Sequence, residues 1–457
     1  MGQKKLYNTL TRQVEDFSVE DQKINMYVCG ITPYAPSHLG HAMCAIVFDV
    51  ARRYFEFRGF SVRHITNFTD IDDKMIVAAA EEGIEVSQLA ERNIDSYLRE
   101  LDKLNVLPAT EFPRATHEID SIIQIIEGLI DRDFAYEVDG DVYFRVKNDA
   151  DYGKLSNRKL EDLVAGARLD LDETKEYPGD FALWKSEKPG EPTWDSPWGK
   201  GRPGWHIECS AMSIRYLDKS IDIHGGGLDL VFPHHENGIA QSESFTDVVP
   251  FARFWMHNGT LQYGQDKMSK SIGNVFTISS ALERYSSDVL RMFFLGSHYR
   301  SPLTFSEENV GSQERALERL RTALNTPSFE GIKMKPEIYF DRFIDAMDDD
   351  LNTPRALAVL FDLARDINRE SSNGLNVIES QKALESLAGV LGLTLQVDVS
   401  ETSTEAAPFI DLLIELRSQL RSEKQFEIAD QVRDQLSDLG VVIEDTSDGT
   451  NWKMFGR

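Results

Sequence analysis

Cysteine is scarce in this sequence. Only three occur in 457 residues, Cys29, Cys44 and Cys209, and they are scattered along the chain. A disulfide-stabilised secreted domain needs more cysteines at closer spacing, so we expect reduced thiols. No apolar run approaches the roughly 20 residues of a membrane-spanning helix, and the first residues lack the apolar core of a signal peptide. These absences predict a cytoplasmic protein with no membrane partner.

Positive charge is also in short supply. The chain has 49 lysines and arginines against 76 aspartates and glutamates, which gives a net charge of −27. This balance argues against a protein that coats nucleic acid indiscriminately through a basic surface. A nucleic-acid partner would have to be bound through a confined basic footprint, and a single sequence does not locate one.

The residues 26–41, MYVCGITPYAPSHLGH, combine a strand pattern with a helix start. An apolar run with β-branched residues is interrupted by a glycine and two prolines, and apolar residues then recur at helical spacing as far as Gly59. His38, Gly40 and His41 should therefore lie where a loop becomes a helix. Backbone N–H groups and the helix dipole favour an anion there, and two imidazoles would add donors. On its own, such a histidine pair is more often a simple helix cap.

A second polar stretch lies far downstream, Lys267-Met268-Ser269-Lys270-Ser271. It sits in a glycine-flanked loop between an apolar run that ends at Leu261 and a helical pattern that starts near Ile278. Alone, it is consistent with an ordinary solvated loop that carries two lysines.

Together the two stretches resemble the paired signature motifs of class I aminoacyl-tRNA synthetases. The segments around them resemble one family of that class, the cysteinyl-tRNA synthetases, and the similarity runs from about Leu6 to the C-terminus. The segments that carry the resemblance are 27–30 (YVCG), 67–74 (NFTDIDDK), 202–210 (RPGWHIECS), 222–227 (DIHGGG) and 232–237 (FPHHEN).

The length suggests about three domains, and the strand, helix, strand order predicts an α/β fold with a doubly wound parallel sheet of Rossmann type. We also expect a helix break near Gly83, a tight hairpin at Asp139-Gly140, a close-packed turn at Gly225–Gly227 and a linker from Val399 to Pro408. With the resemblance, the expected divisions are 1–120, first half of the nucleotide-binding catalytic core; 121–203, inserted connective region; 204–277, second half of the core with the lysine loop; 278–335, stem-contact helical region; 336–398, tRNA-binding helical bundle; and 409–457, C-terminal anticodon-end module.

The resemblance implies a ligase that joins an amino acid to ATP, with Mg²⁺ accompanying the nucleotide. His38 and His41 would contact the phosphates, Gly40 would allow close approach of the nucleotide, and Lys267 and Lys270 would neutralise the leaving pyrophosphate. Such chemistry depends on positioning and on charge that stabilises the transition state. A mobile loop suits the two lysines because it can close over the nucleotide and reopen.

The resemblance also implies that Cys29, Cys209 and His234 bind one zinc ion. Their spacing alone would predict only buried structural residues. Zinc binds a thiolate better than a neutral hydroxyl, so a bound zinc ion would distinguish the substrate cysteine from serine. The shape of a pocket distinguishes these two amino acids poorly. The family's fourth ligand is a glutamate four residues after the histidine, and this sequence has Gly238 there. Glu236 is a poor substitute because two residues turn a helix by roughly 200°.

Other matching residues have weaker support. Thr69, Trp205 and Asp229 would line the amino-acid and adenosine pockets, although a capping threonine, a core tryptophan and a helix-entry aspartate are competing interpretations. The acidic turn at 70–73 looks like a metal cluster, yet such turns are commonly only solvated, and we assign no metal to it.

The predicted function is that of a cysteine-tRNA ligase with L-cysteine, ATP and the tRNA specific for cysteine as partners, and with a monomeric state expected by analogy. Two alternatives remain at this stage. One is the related ligase that joins cysteine to an amino sugar in mycothiol synthesis, which resembles this sequence less at the C-terminus. The other is a catalytically silent tRNA-binding paralogue, which the histidine and lysine motifs oppose and Gly238 leaves open.

Overall fold

The computed structural model describes residues 4–160, 174–263, 266–267, 276–396, 399–439, 441–446 and 449–454. The chain forms two compact units, Met1–Thr394 and Leu395–Arg457. Within the described residues, every helix is too short or too polar to cross a membrane.

The first unit is built on a strand, helix, strand arrangement. Its opening elements are β1 (Lys5–Asn8), β2 (Gln13–Asp16), β3 (Lys23–Ile31), α1 (Leu39–Phe57) and β4 (Ser61–Phe68). β1 and β2 form an antiparallel hairpin, whereas β3 and β4 are parallel neighbours joined by α1. A helical crossover between parallel strands is the repeating unit of a doubly wound fold. The arrangement of β3, α1 and β4 therefore confirms the predicted fold class.

Three helices follow: α2 (Asp73–Glu82), α3 (Val86–Lys103) and α4 (Ile119–Asp131). The predicted break between the first two occurs at Gly83, whose φ of +67° places it in the left-handed region. Glycine reaches this region without the steric cost that a Cβ brings, so it ends the helix.

An antiparallel sheet then interrupts the parallel one. Its strands are β5 (Ala135–Val138), β6 (Asp141–Phe144), β7 (Phe181–Ser186) and β8 (Gly201–Pro203), paired in that order. The predicted tight turn between the first two has Asp139 at φ +53° and Gly140 at φ +87°, as a two-residue hairpin with right-handed twist requires. The sheet packs on α4 through Leu129, Phe144 and Trp184, all fully buried.

The parallel sheet resumes with α5 (Trp205–Tyr216), β9 (Ile221–Gly227), α6 (Glu236–Thr246) and β10 (Ala252–Asn258). The next two strands, β11 (Leu261–Tyr263) and β12 (Asp266–Lys267), pair antiparallel in a separate small sheet. The parallel strand order is β10–β9–β3–β4. The turn predicted at Gly225–Gly227 is wrong, because all three glycines pair with β10 inside β9. A Cβ on Gly225 would lie 2.3 Å from the Phe48 ring, so glycine at this position allows close packing of α1 on the sheet.

Helices dominate the remainder of the first unit: α7 (Ile278–Leu282), α8 (Ser287–Leu295), the short strand β13 (Leu303–Phe305), α9 (Glu307–Asn325), α10 (Glu337–Met347), α11 (Thr353–Ser372) and α12 (Ile378–Val390). A fully buried ion pair joins Arg291 of α8 to Asp49 of α1. Arg291 also donates to the Leu391 carbonyl, 3.1 Å away, at the end of α12. A buried guanidinium is tolerated because its donors are used.

The second unit contains α13 (Val399–Ser422), α14 (Phe426–Asp438), β14 (Val441–Thr446) and β15 (Gly449–Met454), with the two strands antiparallel. Its core includes Ile410, Ile414, Leu436 and Val441. The linker predicted from Val399 to Pro408 is wrong, because this stretch is the first part of α13 and Pro408 lies inside the helix.

Candidate active site

The N-terminus of α1 is organised by two histidines. His38 is the N-cap, and its Nδ1 accepts from the His41 N–H at 3.3 Å, while the His41 Nδ1 accepts from the His38 N–H at the same distance. The rings stack with centroids 3.7 Å apart. Because both Nδ1 atoms accept, each neutral ring carries its proton on Nε2 and offers that N–H as a donor. The histidines therefore both cap the helix and supply donors beside its positive end.

A cavity of about 550 Å³ opens at the carboxyl ends of the parallel strands, where doubly wound folds bind their ligands. Several predicted site residues line it: Cys29, His38, Gly40, His41, Trp205 and Asp229. The arrangement thus brings the helix start and the candidate metal ligand Cys29 to one space.

Thr69 does not contribute to this wall in the described part of the chain. It is buried behind Asn67, whose side-chain nitrogen donates to its hydroxyl at 3.4 Å. The Asn67 amide oxygen in turn accepts from the Gly30 N–H at 3.0 Å. Thr69 is therefore placed to orient Asn67, which holds the backbone next to Cys29.

Two thiols and an imidazole converge below this cavity. The Cys29 and Cys209 sulfurs are 3.6 Å apart, and the His234 Nε2 lies 3.4 Å from the first and 3.3 Å from the second. Ligands around a tetrahedral zinc ion, with bonds of about 2.0 to 2.3 Å, are separated by roughly 3.3 to 3.8 Å. The trio therefore has both the donor types and the spacing that zinc prefers.

The charge state of the trio also suits a cation. The pKa of Cys209 lies well below its ordinary value, because Cys29 donates a hydrogen bond to its sulfur and His234 lies beside it. Burial, followed by the contact with Cys209, raises the pKa of Cys29. One thiolate is thus favoured in a buried pocket, and a thiolate is the form that binds metal.

The remaining nitrogen of His234 is held in place. Its Nδ1 lies 3.1 Å from the Nδ1 of His206, and the Trp205 ring stacks on it with centroids 4.5 Å apart. With Nε2 facing the sulfurs, Nδ1 carries the proton and donates to His206. Burial and the neighbouring His234 keep the pKa of His206 well below its usual value, so His206 remains a neutral acceptor. This second contact fixes the tautomer needed for ligation.

Gly238 and Glu236 both lie on α6, but their surroundings differ. A Cβ built on Gly238 meets no heavy atom within 4 Å, although the residue is buried. The Glu236 carboxylate points elsewhere and accepts from the N–H groups of Gly153, Leu155 and Ser156 at 3.1, 3.2 and 2.7 Å. Glu236 therefore anchors the loop at 153–156 and leaves the space beside Gly238 open.

We expect Glu236→Gln to destabilise the fold by about 1 to 3 kcal/mol, because an amide oxygen replaces a charged acceptor and its NH₂ group faces N–H donors. The free energy of unfolding in urea measures this. Glu137→Gln, at a hairpin where the carboxylate accepts from the exposed Gly140 N–H, serves as the control with a smaller loss. Equal losses in both variants would contradict the assigned anchoring role.

Sequence reasoning missed three buried histidines. His224 and His235 form a second compact group with Cys29, and the His235 Nε2 lies 3.2 Å from the Cys29 sulfur. The His235 Nδ1 is 2.7 Å from His257, which contacts the Thr9 hydroxyl at 2.8 Å. His224 and His235 lie in the matching segments 222–227 and 232–237, but their spacing does not predict that both lie near Cys29.

The carboxylates of the acidic turn each contact another group of the chain. Asp70 accepts from the Thr116 N–H at 3.0 Å, Asp72 caps α2 through the Lys74 N–H at 2.8 Å, and Asp73 pairs with Lys185 at 2.6 Å. Each carboxylate has its own partner, so the turn serves structure.

The lysine loop is described only at its start. Lys267 belongs to β12, where its backbone pairs with Gln262 of β11. Lys270 lies outside the described residues, and the candidate phosphate role of both lysines stays a prediction.

Comparison with solved structures supports the fold, and the matching family models define the class. Methionyl-tRNA synthetase from Mycobacterium tuberculosis, solved with methionyl-adenylate, is 16% identical, and the match covers 86% of this chain and 94% of that one with a TM-score of 0.60. A leucyl-tRNA synthetase from Agrobacterium radiobacter, solved with tRNA, is 12% identical over 83% of this chain and 84% of that one with a TM-score of 0.59. Residues 16–315 match the family "tRNA synthetases class I (C) catalytic domain", and 342–396 match "DALR domain". The fold and the site define a class I aminoacyl-tRNA synthetase.

Curated relatives extend over almost the whole chain. Cysteine–tRNA ligase of Dehalococcoides mccartyi is 54% identical over 98% of this chain and 99% of its own length. The corresponding ligase of Caldicellulosiruptor saccharolyticus is 50% identical over 98% of both chains. The chain belongs to the cysteine–tRNA ligase family.

Proposed function

We propose that this enzyme activates L-cysteine with ATP and transfers the cysteinyl group to the 3′ end of the tRNA specific for cysteine. A carboxylate oxygen of cysteine attacks the α-phosphorus, the bond to pyrophosphate breaks, and cysteinyl-adenylate remains. A ribose hydroxyl of the tRNA then displaces AMP. The observation that carries this proposal is that the capped histidine pair lines the same cavity as Cys29, which belongs to the thiol–imidazole trio.

ATP binding is assigned to the start of α1 and to the lysine loop. The Nε2 donors of His38 and His41 suit phosphate oxygens beside a helix N-terminus. A Cβ at Gly40 would lie only 3.0 Å from the His38 ring, so glycine lets the capped pair form. Lys267 and Lys270 would stabilise the negative charge that develops on the leaving pyrophosphate, which carries Mg²⁺.

Cys29, Cys209 and His234 would hold zinc, and a bound zinc ion supplies selective affinity for a thiolate over a hydroxyl. His206 holds His234 in the ligating tautomer, and Asn67 with Thr69 fixes the backbone at Cys29. Trp205 and Asp229, which line the cavity, are assigned to the amino-acid and adenosine pockets. We propose a monomer that works in the cytoplasm.

The test is cysteine-dependent exchange of labelled pyrophosphate into ATP, followed by charging of purified tRNA, with serine as the control substrate. Both activities are expected with cysteine only. Exchange without charging would favour the amino-sugar ligase, and absence of both would favour the silent paralogue. Membership of the cysteine–tRNA ligase family at 54% identity over 98% of the chain supports neither alternative.

A chain that ends at Gln396 is expected to keep pyrophosphate exchange while its tRNA charging falls by about tenfold or more. The cut removes α13 and the rest of the second unit, whereas the proposed catalytic residues lie in the first. Contacts to the tRNA backbone position the substrate and contribute strongly to affinity. The retained exchange is itself the control for folding, and equal loss of both activities would mean that the second unit supports the catalytic core.

A further inference from the structure

The cavity extends to two ends, one beside β10 and one beside β4. One is lined by Asn258–Leu261 at the end of β10 and the start of β11, from which the lysine loop continues. The other extends to β4 and α3, at the far end of the strand order β10–β9–β3–β4. The proposed nucleotide site accounts for the first end. The second end, which we name the β4 lobe, has no assigned role.

The β4 lobe has walls that are apolar or neutral. Its main residues come from α1, β4, α3 and the segment after α3: Cys44, His64, Tyr97, Leu101 and Phe112. Burial raises the pKa of Cys44 to about 12, so its thiol stays protonated. Two aromatic rings and two aliphatic or thiol groups surround a space without a permanent charge. Such walls favour an uncharged, flat ligand.

His64 gives the lobe a polar contact point. Its register partner in β3 is Met26, on the sheet face that α1 covers. The side chain is 92% buried, and neither ring nitrogen has a hydrogen-bond partner among the described residues. Burial, with Arg52 nearby, lowers its pKa to about 4, so the ring is neutral and carries one donor and one acceptor. An unpartnered buried imidazole is unfavourable until a ligand or water satisfies it.

We propose that the β4 lobe is a second ligand site, which binds an uncharged heteroaromatic ring through stacking on its aromatic walls and one hydrogen bond to His64. This site is distinct from the one proposed for ATP. The His41 ring lies 6.5 Å from that of Tyr97, so a ligand in the lobe would lie close to the phosphate-binding end of α1. The proposal does not depend on the aminoacylation reaction.

Benzimidazole is the probe, because it is flat, uncharged at pH 8 and carries one donor and one acceptor. Titration calorimetry of the full chain, with no ATP or cysteine, should show one binding site. His64→Leu should weaken binding about fivefold, since one hydrogen bond is lost. Ala109→Phe and Leu101→Trp, which fill the lobe from two sides, should abolish it. Val77→Trp, on the exposed face of α2, should bind as the wild type does.

Added ATP should leave the benzimidazole stoichiometry unchanged. Unfolding curves of each variant identify any that fail to fold, and Ala109→Phe, at the more exposed segment, is the safer of the two filling variants. The proposal is overturned if the wild-type chain does not bind benzimidazole. It is equally overturned if the folded filling variants bind normally, if His64→Leu has wild-type affinity, or if ATP displaces the probe.

Discussion

Replacing His41 by alanine is expected to lower cysteine-dependent pyrophosphate exchange about 100-fold or more. The variant removes a donor from the start of α1, where negative charge develops on the phosphates in the transition state, and losses of single donors of this kind reach that size. Lys270→Ala should behave similarly, because it removes a positive charge from the leaving group. The measurement is the exchange rate at saturating ATP and cysteine.

His41 also contributes to the cap of α1, so its capping role has to be separated from its proposed role as a donor to the phosphates. His41→Asp keeps a side-chain acceptor for the His38 N–H but places a negative charge beside the phosphates. If capping were the only role, His41→Asp would restore exchange to near the wild-type rate. We expect it to be as inactive as His41→Ala while its unfolding free energy recovers. His117→Ala, at an exposed histidine outside the cavity, should have normal exchange.

Local patterns predicted the fold where local chemistry decides it. Gly83 and the Asp139–Gly140 pair require positive φ, and the sequence places residues there that accept it. The strand and helix around His38 were predictable for the same reason. The prediction failed at Gly225–Gly227, because a distant side chain, Phe48, occupies the space that a Cβ would need. Glycine there reflects tertiary packing and not a turn.

The stretch from Val399 to Pro408 failed for a related reason. Serines, threonines and a proline are typical of linkers, yet the stretch continues as one helix into residues that pack on α14, such as Ile410 and Ile414. Helices in proteins are stabilised mainly by such packing and only weakly by propensity.

In the candidate site, too, local sequence predicted some features, whereas others depend on the tertiary structure. His38 and His41 are adjacent on one helix turn, so local reasoning is sufficient to bring them together. Cys29 and Cys209 are 180 positions apart, and only the sheet topology makes them neighbours, so their relationship came from family resemblance. His206 and His235 were not predicted. His206 contacts the second ring nitrogen of His234, and His235 contacts the sulfur of Cys29. Contacts of this kind follow no characteristic spacing in the sequence.

Cys209→Ser is expected to abolish stoichiometric zinc binding. The substitution replaces the thiol with the lowered pKa by a hydroxyl that stays protonated at neutral pH and coordinates zinc weakly. The measurement is zinc content after dialysis, with affinity from competition against a chromogenic chelator. Cys44→Ser is the matched control, because Cys44 lies outside the trio and its loss should leave one zinc per chain. Zinc retained by Cys209→Ser would show that the metal, if present, is held elsewhere.

Gly238→Glu is expected to tighten zinc binding, about tenfold or more, because a carboxylate is among the ligands that zinc accepts and the open space beside Gly238 admits a longer side chain. Gly238→Gln is the matched control: it has the same size and removes the same helical glycine, which costs roughly 1 kcal/mol relative to alanine, but it adds no charge. Without zinc, the glutamine variant should be the more stable of the two, since a buried carboxylate without a partner is unfavourable. With zinc, the order should reverse, since only the glutamate gains a ligand. If both variants bind zinc with wild-type affinity, residue 238 does not reach the metal, and the trio of Cys29, Cys209 and His234 is complete without it.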